Sequence, residues 1–581
     1  MNGFPHNIVS YGRQVASGAK QIKNLRLSLI RKVFSLMGKR EKIALSLLFL
    51  LALGSLFISL KNSYLRHTSL VPANGGIYSE GMLGQPNYIN PLLAHQETDL
   101  GLIKIIFSGL YEHNNDGQLV PDLAEALPEI SEDQKQYTIN LKRNVKWHND
   151  KPFTADDVVF TIQTLQDPAY KSPLRQQWLS TTVEKLGDYS IKFTTKDISG
   201  PFIHNLTLPI LPQSVWNKVE PQNFVLTNAN LQAIGTGPYS IKEIKKLASG
   251  KIQSLGLESF SNYYGGKPKL DTVNIKFFDT EEDLLNALHS KEINGFGFVA
   301  LGSNLYLDPA QEDFNIFNLP LPQYQVLFFN LKNKFLSDRN VRLALALAVD
   351  KKTIVEQVFK NNALVPISPL FPEAVAEANK IEFNVDQAKK LLDMSGWLVD
   401  GNTQIRTKKN QQLEISIATN DLLVNSKIAE SVAQSWRLLN IKVNLNILPT
   451  KELTDNLIKP RSFDVLLFPQ KLGPDPDLFA FWHSSQAKDP GLNLTGFSSP
   501  AVDKLITEAR ATTNPEIRQA KYQELNKLIT DSVAAVYLSQ TQYIYALNKE
   551  IKNVGLKTLN EPGQRFYDLP NWYVAEKRVW K

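Results

Sequence analysis

An uncharged apolar run restricts the fold of this chain more than any other feature: residues 43–60, IALSLLFLLALGSLFISL. As a helix this run would be about 27 Å long, which is just enough to cross the hydrocarbon core of a bilayer. A cleavable signal peptide is the alternative, but its basic region would be unusually long and no A-x-A-like cleavage site follows. The sequence therefore favours a retained transmembrane anchor at residues 43–60.

The charges are distributed unevenly on the two sides of this run. Residues 1–42 contain nine Lys or Arg and one acid, Glu41, whereas the rest of the chain has 55 basic and 56 acidic residues. The excess of positive charge before the run predicts a single-pass protein of the cell membrane, with a basic cytoplasmic tail at 1–42 and the large part extracytoplasmic. Because that large part is nearly neutral, we expect no nucleic-acid partner.

Strand and helix patterns are mixed beyond a polar stalk at residues 61–74. Residues 137–142, YTINLK, alternate as a half-buried strand, and residues 326–332, VLFFNLK, read as a buried strand. Residues 428–448 predict an amphipathic helix, a short turn and a strand, which is the unit of an α/β layer. No repeat of 20 to 50 residues is visible, so the sequence indicates an α/β protein and not a solenoid or propeller.

The stretch WHNDKPFTADDVVF, residues 147–160, has the acid cluster that most suggests chemistry. Thr154 is a natural helix N-cap, and Asp157, at the third helical position, can accept the backbone N–H of Thr154. Asp156 and Asp157 both fall in the first helical turn, where the helix dipole favours negative charge. We therefore predict a structural role for these aspartates.

Motifs of catalysis and metal binding are missing from the sequence. It has no cysteine, eight scattered histidines and no H-E-x-x-H pattern. It has no G-x-S-x-G elbow, no P-loop and no G-x-G-x-x-G, and the proline in GTGPY, residues 235–239, prevents a phosphate-binding helix start there. We read GTGPY as a tight turn and predict no catalytic residue, no metal site and no cofactor.

Aromatic residues make up 10% of the chain, and those near predicted segment junctions suit an apolar cleft with a few polar anchors. The clearest cluster is GPDPDLFAFW, in which prolines keep Asp475 and Asp477 off a regular helix beside bulky rings. The alternative is that the Asp-Pro pairs form a turn and that Asp477 caps the following helix. The candidate ligand-binding residues are Asp475, Asp477, Trp482, Phe481, Tyr88, Asn90, Tyr111 and Tyr239.

Residues 105–167 strongly resemble the peptide and nickel family, family 5, of extracytoplasmic solute-binding proteins of ABC importers. The resemblance covers about 75–550, because further motifs follow in order: PNYINPLLA, IGTGPYSI, NYYGGKPKLDTVNIKFF, NVRLALALAVDKKTIVEQVF, FNVDQAKKLLDMSGW and SSPAVDKLITEAR. It implies the two-lobed α/β fold of a type II periplasmic binding protein, with two hinge strands and an extra subdomain in lobe one. The implied boundaries are 75–325 for lobe one, about 109–206 for its subdomain, 326–545 for lobe two and 546–581 for the return to lobe one.

The function implied by this resemblance is capture without chemistry. A peptide or related small solute would be held between the lobes and delivered to the permease subunits of an ABC importer, and the protein would not be an enzyme. The alternative is a membrane-anchored sensor that signals through its span or tail.

The sequence departs from the peptide-binding members of the family at one position that bears on the ligand. Those members place an acidic side chain shortly before the D-P of the second-lobe loop, where it pairs with the free amine of the peptide. Here the preceding residues are Gln470, Lys471 and Leu472, and Pro469 removes a backbone donor from the strand. The sequence leaves open whether the ligand is a peptide, another solute or a metal chelate.

Overall fold

The computed structural model describes residues 32, 35–299, 313–366, 381–475 and 477–581. Most of the predicted basic tail, residues 1–42, lies outside the described residues. The chain divides into two compact units, Met1–Pro72 with Glu576–Lys581, and Ala73–Ala575. The two units are described separately below.

The strands and α-helices of the described residues are numbered in chain order. The strands are β1 (Thr68–Pro72), β2 (Ile77–Leu83), β3 (Tyr111–His113), β4 (Leu119–Pro121), β5 (Glu129–Ile130), β6 (Gln136–Asn140), β7 (Thr181–Gly187), β8 (Ser190–Thr195), β9 (Tyr239–Lys246), β10 (Ile252–Ser259), β11 (Thr272–Phe278), β12 (Gly295–Val299), β13 (Phe314–Phe329), β14 (Ala363–Leu364), β15 (Leu398–Val399), β16 (Arg406–Lys408), β17 (Gln411–Gln412), β18 (Glu414–Asn420), β19 (Lys442–Leu448), β20 (Val465–Lys471), β21 (Ala535–Asn548) and β22 (Glu576–Trp580). The helices are α1 (Lys39–His67), α2 (Glu97–Ile106), α3 (Ala155–Gln166), α4 (Arg175–Trp178), α5 (Phe202–Asn205), α6 (Gln213–Trp216), α7 (Glu281–His289), α8 (Arg339–Leu347), α9 (Lys351–Phe359), α10 (Val385–Met394), α11 (Leu423–Arg437), α12 (Thr450–Leu453), α13 (Phe479–Trp482), α14 (Pro500–Arg510) and α15 (Pro515–Ser532).

The smaller unit consists of helix α1 and the antiparallel pair of β1 and β22. Within the described part of the chain, α1 is the one helix that is long and apolar enough to cross a membrane, and none of its side chains is buried. Helix α1 contains the predicted span, residues 43–60, but continues through residues 61–67, which the sequence predicts as part of a stalk. The reason is that residues 61–71 contain no glycine or proline to end the helix, so it continues until β1 begins.

The larger unit is organised around an eleven-stranded sheet with the order β19-β18-β20-β13-β21-β12-β2-β11-β10-β9, in which β14 also pairs with β21. We call the side with β12, β2, β11, β10 and β9 the first lobe, and the side with β20, β18 and β19 the second lobe. The central strands β13 and β21 are antiparallel and have 16 and 14 residues, so they extend through both lobes. Their pairing is interrupted between Pro320 and Tyr324.

Side chains on β13 alternate between two cores of the second lobe. Val326 and Phe328 belong to one buried cluster, while Leu327 and Phe329 belong to another on the opposite face. A strand with helices on both sides buries successive residues on opposite faces, which produces a continuous apolar run. The buried strand predicted at residues 326–332 is therefore confirmed as far as Phe329, after which the chain leaves the sheet.

The GTGPY segment of the first lobe forms the close backbone approach that its sequence predicts. The Gly237 N–H donates to the carbonyl oxygen of Ile106 at 2.8 Å. A Cβ on Gly235 would lie 1.8 Å from that same oxygen, so no other residue fits there. The turn brings the backbone against the last turn of α2 and thereby fixes the start of β9.

The four-stranded sheet β5-β6-β8-β7 of the first lobe carries helix α3, which begins after Thr154 as expected. The buried Asp157 carboxylate accepts the Thr154 N–H at 3.0 Å, the Gln213 N–H at 2.8 Å and the Trp147 indole N–H at 3.2 Å. Burial raises the pKa of Asp157, and these three donors oppose that shift. The structural role predicted for this aspartate is confirmed, because its carboxylate joins three segments of the first lobe.

We expect Asp157→Ala to lower the free energy of unfolding by about 2 to 3 kcal/mol, because it leaves one buried and two partly buried donors without an acceptor. The matched control is Asp156→Ala at the neighbouring position, where the carboxylate is half exposed and contacts Lys185 at 2.9 Å. This control should change stability by less than about 1 kcal/mol. Urea denaturation of both variants measures the difference, and equal losses would contradict the assigned role.

Candidate functional site

The loop that follows β20 lies at the carboxyl end of a parallel strand, because β20 runs parallel to its neighbour β18. The Leu472 N–H donates to the carbonyl oxygen of Pro322 at 2.8 Å, which ties the loop to the interrupted part of β13. The Asp477 N–H donates to the carbonyl oxygen of Asp475 at 2.9 Å, and Pro476 lies outside the described residues. Ligand sites of open α/β sheets form at such strand ends.

This loop borders a cavity of about 870 Å³ between the first and second lobes. The volume falls within the range of small-molecule binding sites, roughly 300 to 1,000 Å³. The first lobe contributes Lys135, Gln177, Ser180, Thr181, Thr195, Asp197, Ile198, Ser199, Pro201, Phe202, His204 and Asn205, and the second contributes Gly473, Pro474, Asp475, Asp477, Phe479, Thr507, Arg510 and Ala511. Both lobes therefore wall the cavity, and a solute inside it would contact both.

The negative charge of Asp475 is balanced by other side chains of the protein. Its carboxylate forms a buried ion pair with Arg518 and accepts the Tyr522 hydroxyl at 3.1 Å. Arg518 and Tyr522 are four residues apart on α15, so successive helical turns present both to the loop. From the first lobe, the His204 Nε2 atom lies 3.5 Å from the Asp475 carboxylate.

Asp477 is paired in the same way with a second arginine. Its carboxylate lies 3.1 Å from Arg510 Nε, and it also accepts the Phe479 N–H at 3.1 Å. The Arg510 guanidinium lies over the Phe479 ring at 4.3 Å. Burial raises the pKa of Asp477, and the charge of Arg510 opposes that shift. The bond to Phe479 ties Asp477 to the first residue of α13, although the N-cap of that helix is Leu478 and not Asp477 as the alternative from the sequence had it. The same carboxylate also lines the cavity.

Gln470 occupies the position just before the loop and is an uncharged, buried group. Its Oε1 atom accepts the Tyr537 hydroxyl at 2.9 Å, while its Nε2 atom has no hydrogen-bond partner among the described residues. Pro469 lies opposite Gln325 of β13 in the strand register. The end of β20 therefore carries the uncharged amide of Gln470. This amide can donate a hydrogen bond but, unlike an acid, it cannot attract a cation.

The other candidate residues occupy core positions, and none is among the described residues that line the cavity. Trp482 is 1% exposed, and its ring packs edge-to-face on Phe497, while Phe481 packs against the same core. Tyr88 packs against the first-lobe core, Asn90 donates to Asn230, and the Tyr111 and Tyr239 hydroxyls donate to the carbonyl oxygens of Ala126 and Leu270. Ligand contact by these residues stays a prediction.

Three further polar groups at the cavity are not among the residues predicted from the sequence. His204 and Arg510 line the cavity, and Arg518 lies behind the loop, where it pairs with Asp475. The four-residue spacing of Arg518 and Tyr522 was a visible signal of two polar groups on one helical face. Local sequence patterns do not predict that Arg510 or Arg518 pairs with an aspartate, because each aspartate precedes its arginine by more than thirty residues. In the described part of the chain, no group of three or more His, Cys, Asp or Glu side chains is arranged to hold a metal ion.

Two lobes that share two long strands and wall a common cavity define a solute-binding protein of the periplasmic binding type. A family model of bacterial extracellular solute-binding proteins, family 5, matches residues 118–491. The oligopeptide-binding protein AppA of Bacillus subtilis is 28% identical over 560 residues, which cover 93% of this chain and 100% of that protein. The chain therefore belongs to family 5 of the bacterial extracellular solute-binding proteins, as its motifs indicate.

Solved structures agree with this assignment. The structure of Bacillus subtilis AppA in complex with a nonapeptide has a TM-score of 0.65 at 25% identity, covering 87% of this chain and 100% of that one. NikZ from Campylobacter jejuni in complex with Ni(L-His) has a TM-score of 0.66 at 25% identity, covering 86% and 99%. The predicted two-lobed α/β class is confirmed, and so is the function of solute capture for ABC importers.

The Asp475–Arg518 pair is expected to be structural, because the side chains of both partners are less than a tenth exposed. Arg518→Met would leave the Asp475 carboxylate buried without its counterion and should lower the free energy of unfolding by about 3 kcal/mol. Lys504→Met is the control, since Lys504 is 76% exposed and lies 3.8 Å from Glu508. The control should cost less than about 0.5 kcal/mol. Equal denaturation midpoints for the two variants would refute the pairing.

Proposed function

We propose that this protein captures a peptide or peptide-like solute in the cavity between its lobes and passes it to the permease subunits of an ABC importer. The observation that supports this proposal is the cavity of about 870 Å³, with walls from both lobes. A solute that contacts both walls is held fully only when the lobes are closed, so its binding stabilises the closed form.

The ligand class follows from the relatives and from the charges of the cavity wall. AppA binds oligopeptides and NikZ holds a nickel–histidine complex, so the family fold accepts both kinds of solute. We favour a peptide because AppA is 28% identical over 560 residues, whereas NikZ is 25% identical to this chain. Since Asp475 and Asp477 are already paired with arginines, we propose that the ligand is held mainly by hydrogen bonds and apolar contacts.

We propose that Asp475 and Asp477 contribute to the cleft as ion-paired carboxylates, which can only accept hydrogen bonds, and not as free negative charges. Phe479 lies beside Asp477 on the cavity wall. It would supply the apolar contact that the sequence predicts for the aromatic residues of this segment. Capture of this kind needs no covalent chemistry, so the bound solute should leave the protein unchanged.

The protein's place at the membrane is part of the proposal. Helix α1 would anchor the protein, with the basic residues that precede it on the cytoplasmic side and the lobes outside the cell. An anchored binding protein stays within reach of the permease and needs no lipid-modified cysteine, which this chain does not have.

Capture is tested by extracting the solute that copurifies with the full chain, identifying it by mass spectrometry and returning it to the stripped protein. At a hundred times its dissociation constant it should stabilise the protein by roughly 2.7 kcal/mol and raise the melting temperature by a few degrees. Hydrogen exchange should slow on both cavity walls, near residues 197–205 and 507–511. Protection of one wall only, or chemical conversion of the solute, would contradict the proposal.

The orientation is tested with a tag at the N-terminus and protease added to intact cells. Protease should remove the large extracytoplasmic part and leave the tag attached to the membrane. Disrupted cells are the control, because the tag should then be degraded as well. Loss of the tag in intact cells, or survival of the large part, would refute the orientation.

A further inference from the structure

The two lobes contact each other directly beside the cavity, through hydrogen bonds between groups of the protein itself. The Gln134 side-chain oxygen accepts both the backbone N–H and the hydroxyl of Thr513 at 3.0 Å. The Gly200 N–H donates to the carbonyl oxygen of Arg510 at 2.9 Å. Gln134 and Gly200 lie on turns of the first lobe, whereas Arg510 ends α14 of the second lobe and Thr513 lies between α14 and α15.

The fit at Gly200 is close enough to exclude any side chain. A Cβ added there would lie 2.3 Å from the carbonyl oxygen of Thr512 and 3.0 Å from Arg518 Nε. The nearest of these groups is backbone, which cannot move aside as a flexible side chain can, and the others belong to the Arg518 side chain, which is held in a buried ion pair. The surfaces of the two lobes are thus complementary in shape at this point, and a larger residue at position 200 would force them apart.

The third contact joins His204 of the first lobe to Asp475 of the second, and His204 belongs to a stacked pair. Its Nδ1 atom lies 3.0 Å from the Nε2 atom of His113, and the ring centroids are 5.2 Å apart with an interplanar angle of 6°. The charged and titratable groups around the pair are Lys104 on the first-lobe side and Asp475, Arg518 and Tyr522 on the second-lobe side.

We propose that Gln134, Gly200 and His204 with their second-lobe partners form an acid-released latch, which holds the lobes closed without solute and opens when His204 takes up a proton. The latch goes beyond solute capture and does not depend on which solute binds. Its consequence is that the solute-free protein is mostly closed at neutral pH, so that solute entry requires the latch to open first.

The direction of the pH effect follows from the surroundings of His204 in the closed form. Burial lowers its pKa, the charge of Arg518 lowers it further, and the charge of Asp475 opposes both. Burial, followed by the charges of His204 and Lys104, lowers the pKa of His113 to about 4, so His113 stays neutral over the relevant range. In the open form an exposed histidine has a pKa of about 6.5. Closure is therefore fully favoured above about pH 6.5 and is weakened as the pH falls toward the lower closed-form value.

The absence of cysteine allows two introduced cysteines, Lys218→Cys on the first lobe and Lys427→Cys on the second, to carry spin labels on the full chain. Both positions are exposed. Distances between the labels are measured by double electron–electron resonance on protein from which bound solute has been removed. We expect one short-distance population at about pH 7.5 and a second, longer one at about pH 5.

Three variants separate the parts of the latch. His204→Gln cannot titrate, so the short population should persist at both pH values. Gly200→Val should give the longer distance at both pH values, whereas Gly187→Val, where a Cβ meets nothing within 4 Å, should behave like the native protein. Gln134→Ala, which removes two hydrogen bonds without adding bulk, should enlarge the long population at neutral pH if Gly200→Val fails to fold.

Either of two results would overturn the latch. A solute-free native protein that is mostly open at neutral pH would show that the lobe contacts do not hold it closed. An acid-induced opening that persists in His204→Gln would show that another group takes up the proton. Failure of solute capture in the copurification experiment would leave both of these measurements intact, because they are made without solute.

Discussion

The pairing of β13 with β21 is the constraint on which the rest of the structure depends. Both strands belong to the two lobes at once, so the lobes cannot separate without breaking main-chain hydrogen bonds. The pairing is weakest between Pro320 and Tyr324, where β13 leaves its partner for three residues, so we expect the lobes to move relative to each other about this stretch. A hinge that short permits a nearly rigid-body rotation of the lobes, which suits a protein that closes on a solute.

A buried charge network secures the first-lobe end of these strands. The Glu80 carboxylate on β2 accepts the Tyr545 hydroxyl of β21 at 3.0 Å and pairs with Arg565 at 2.9 Å. Arg565 also donates to the carbonyl oxygen of Pro562, so a segment that follows β21 is bound back to the sheet. All the charges are paired, which is the condition under which buried ions are tolerated. The first-lobe end of β21 is therefore held firmly to its neighbours.

Charge pairing also determines what the cavity can recognise. Asp475 and Asp477 look in the sequence like free acids that would attract a cation, but each lies against an arginine from α14 or α15. The same loop contacts His204 of the first lobe, so one carboxylate contributes to the cavity wall and to the contact between lobes. The cavity wall and the contact between the lobes therefore share this side chain.

The sequence by itself determined those features that depend on neighbouring residues: the apolar helix, the capping of α3 by Asp157, the close turn at Gly235 and the buried strand at residue 326. It also carried the family motifs, because these are long and ordered. The tertiary structure alone decided which side chains meet across the chain, such as Asp475 with Arg518, or Gly200 with Arg510. The physical reason is that local hydrogen bonding and periodicity act over a few residues, whereas a contact between distant segments depends on the tertiary packing that brings those segments together.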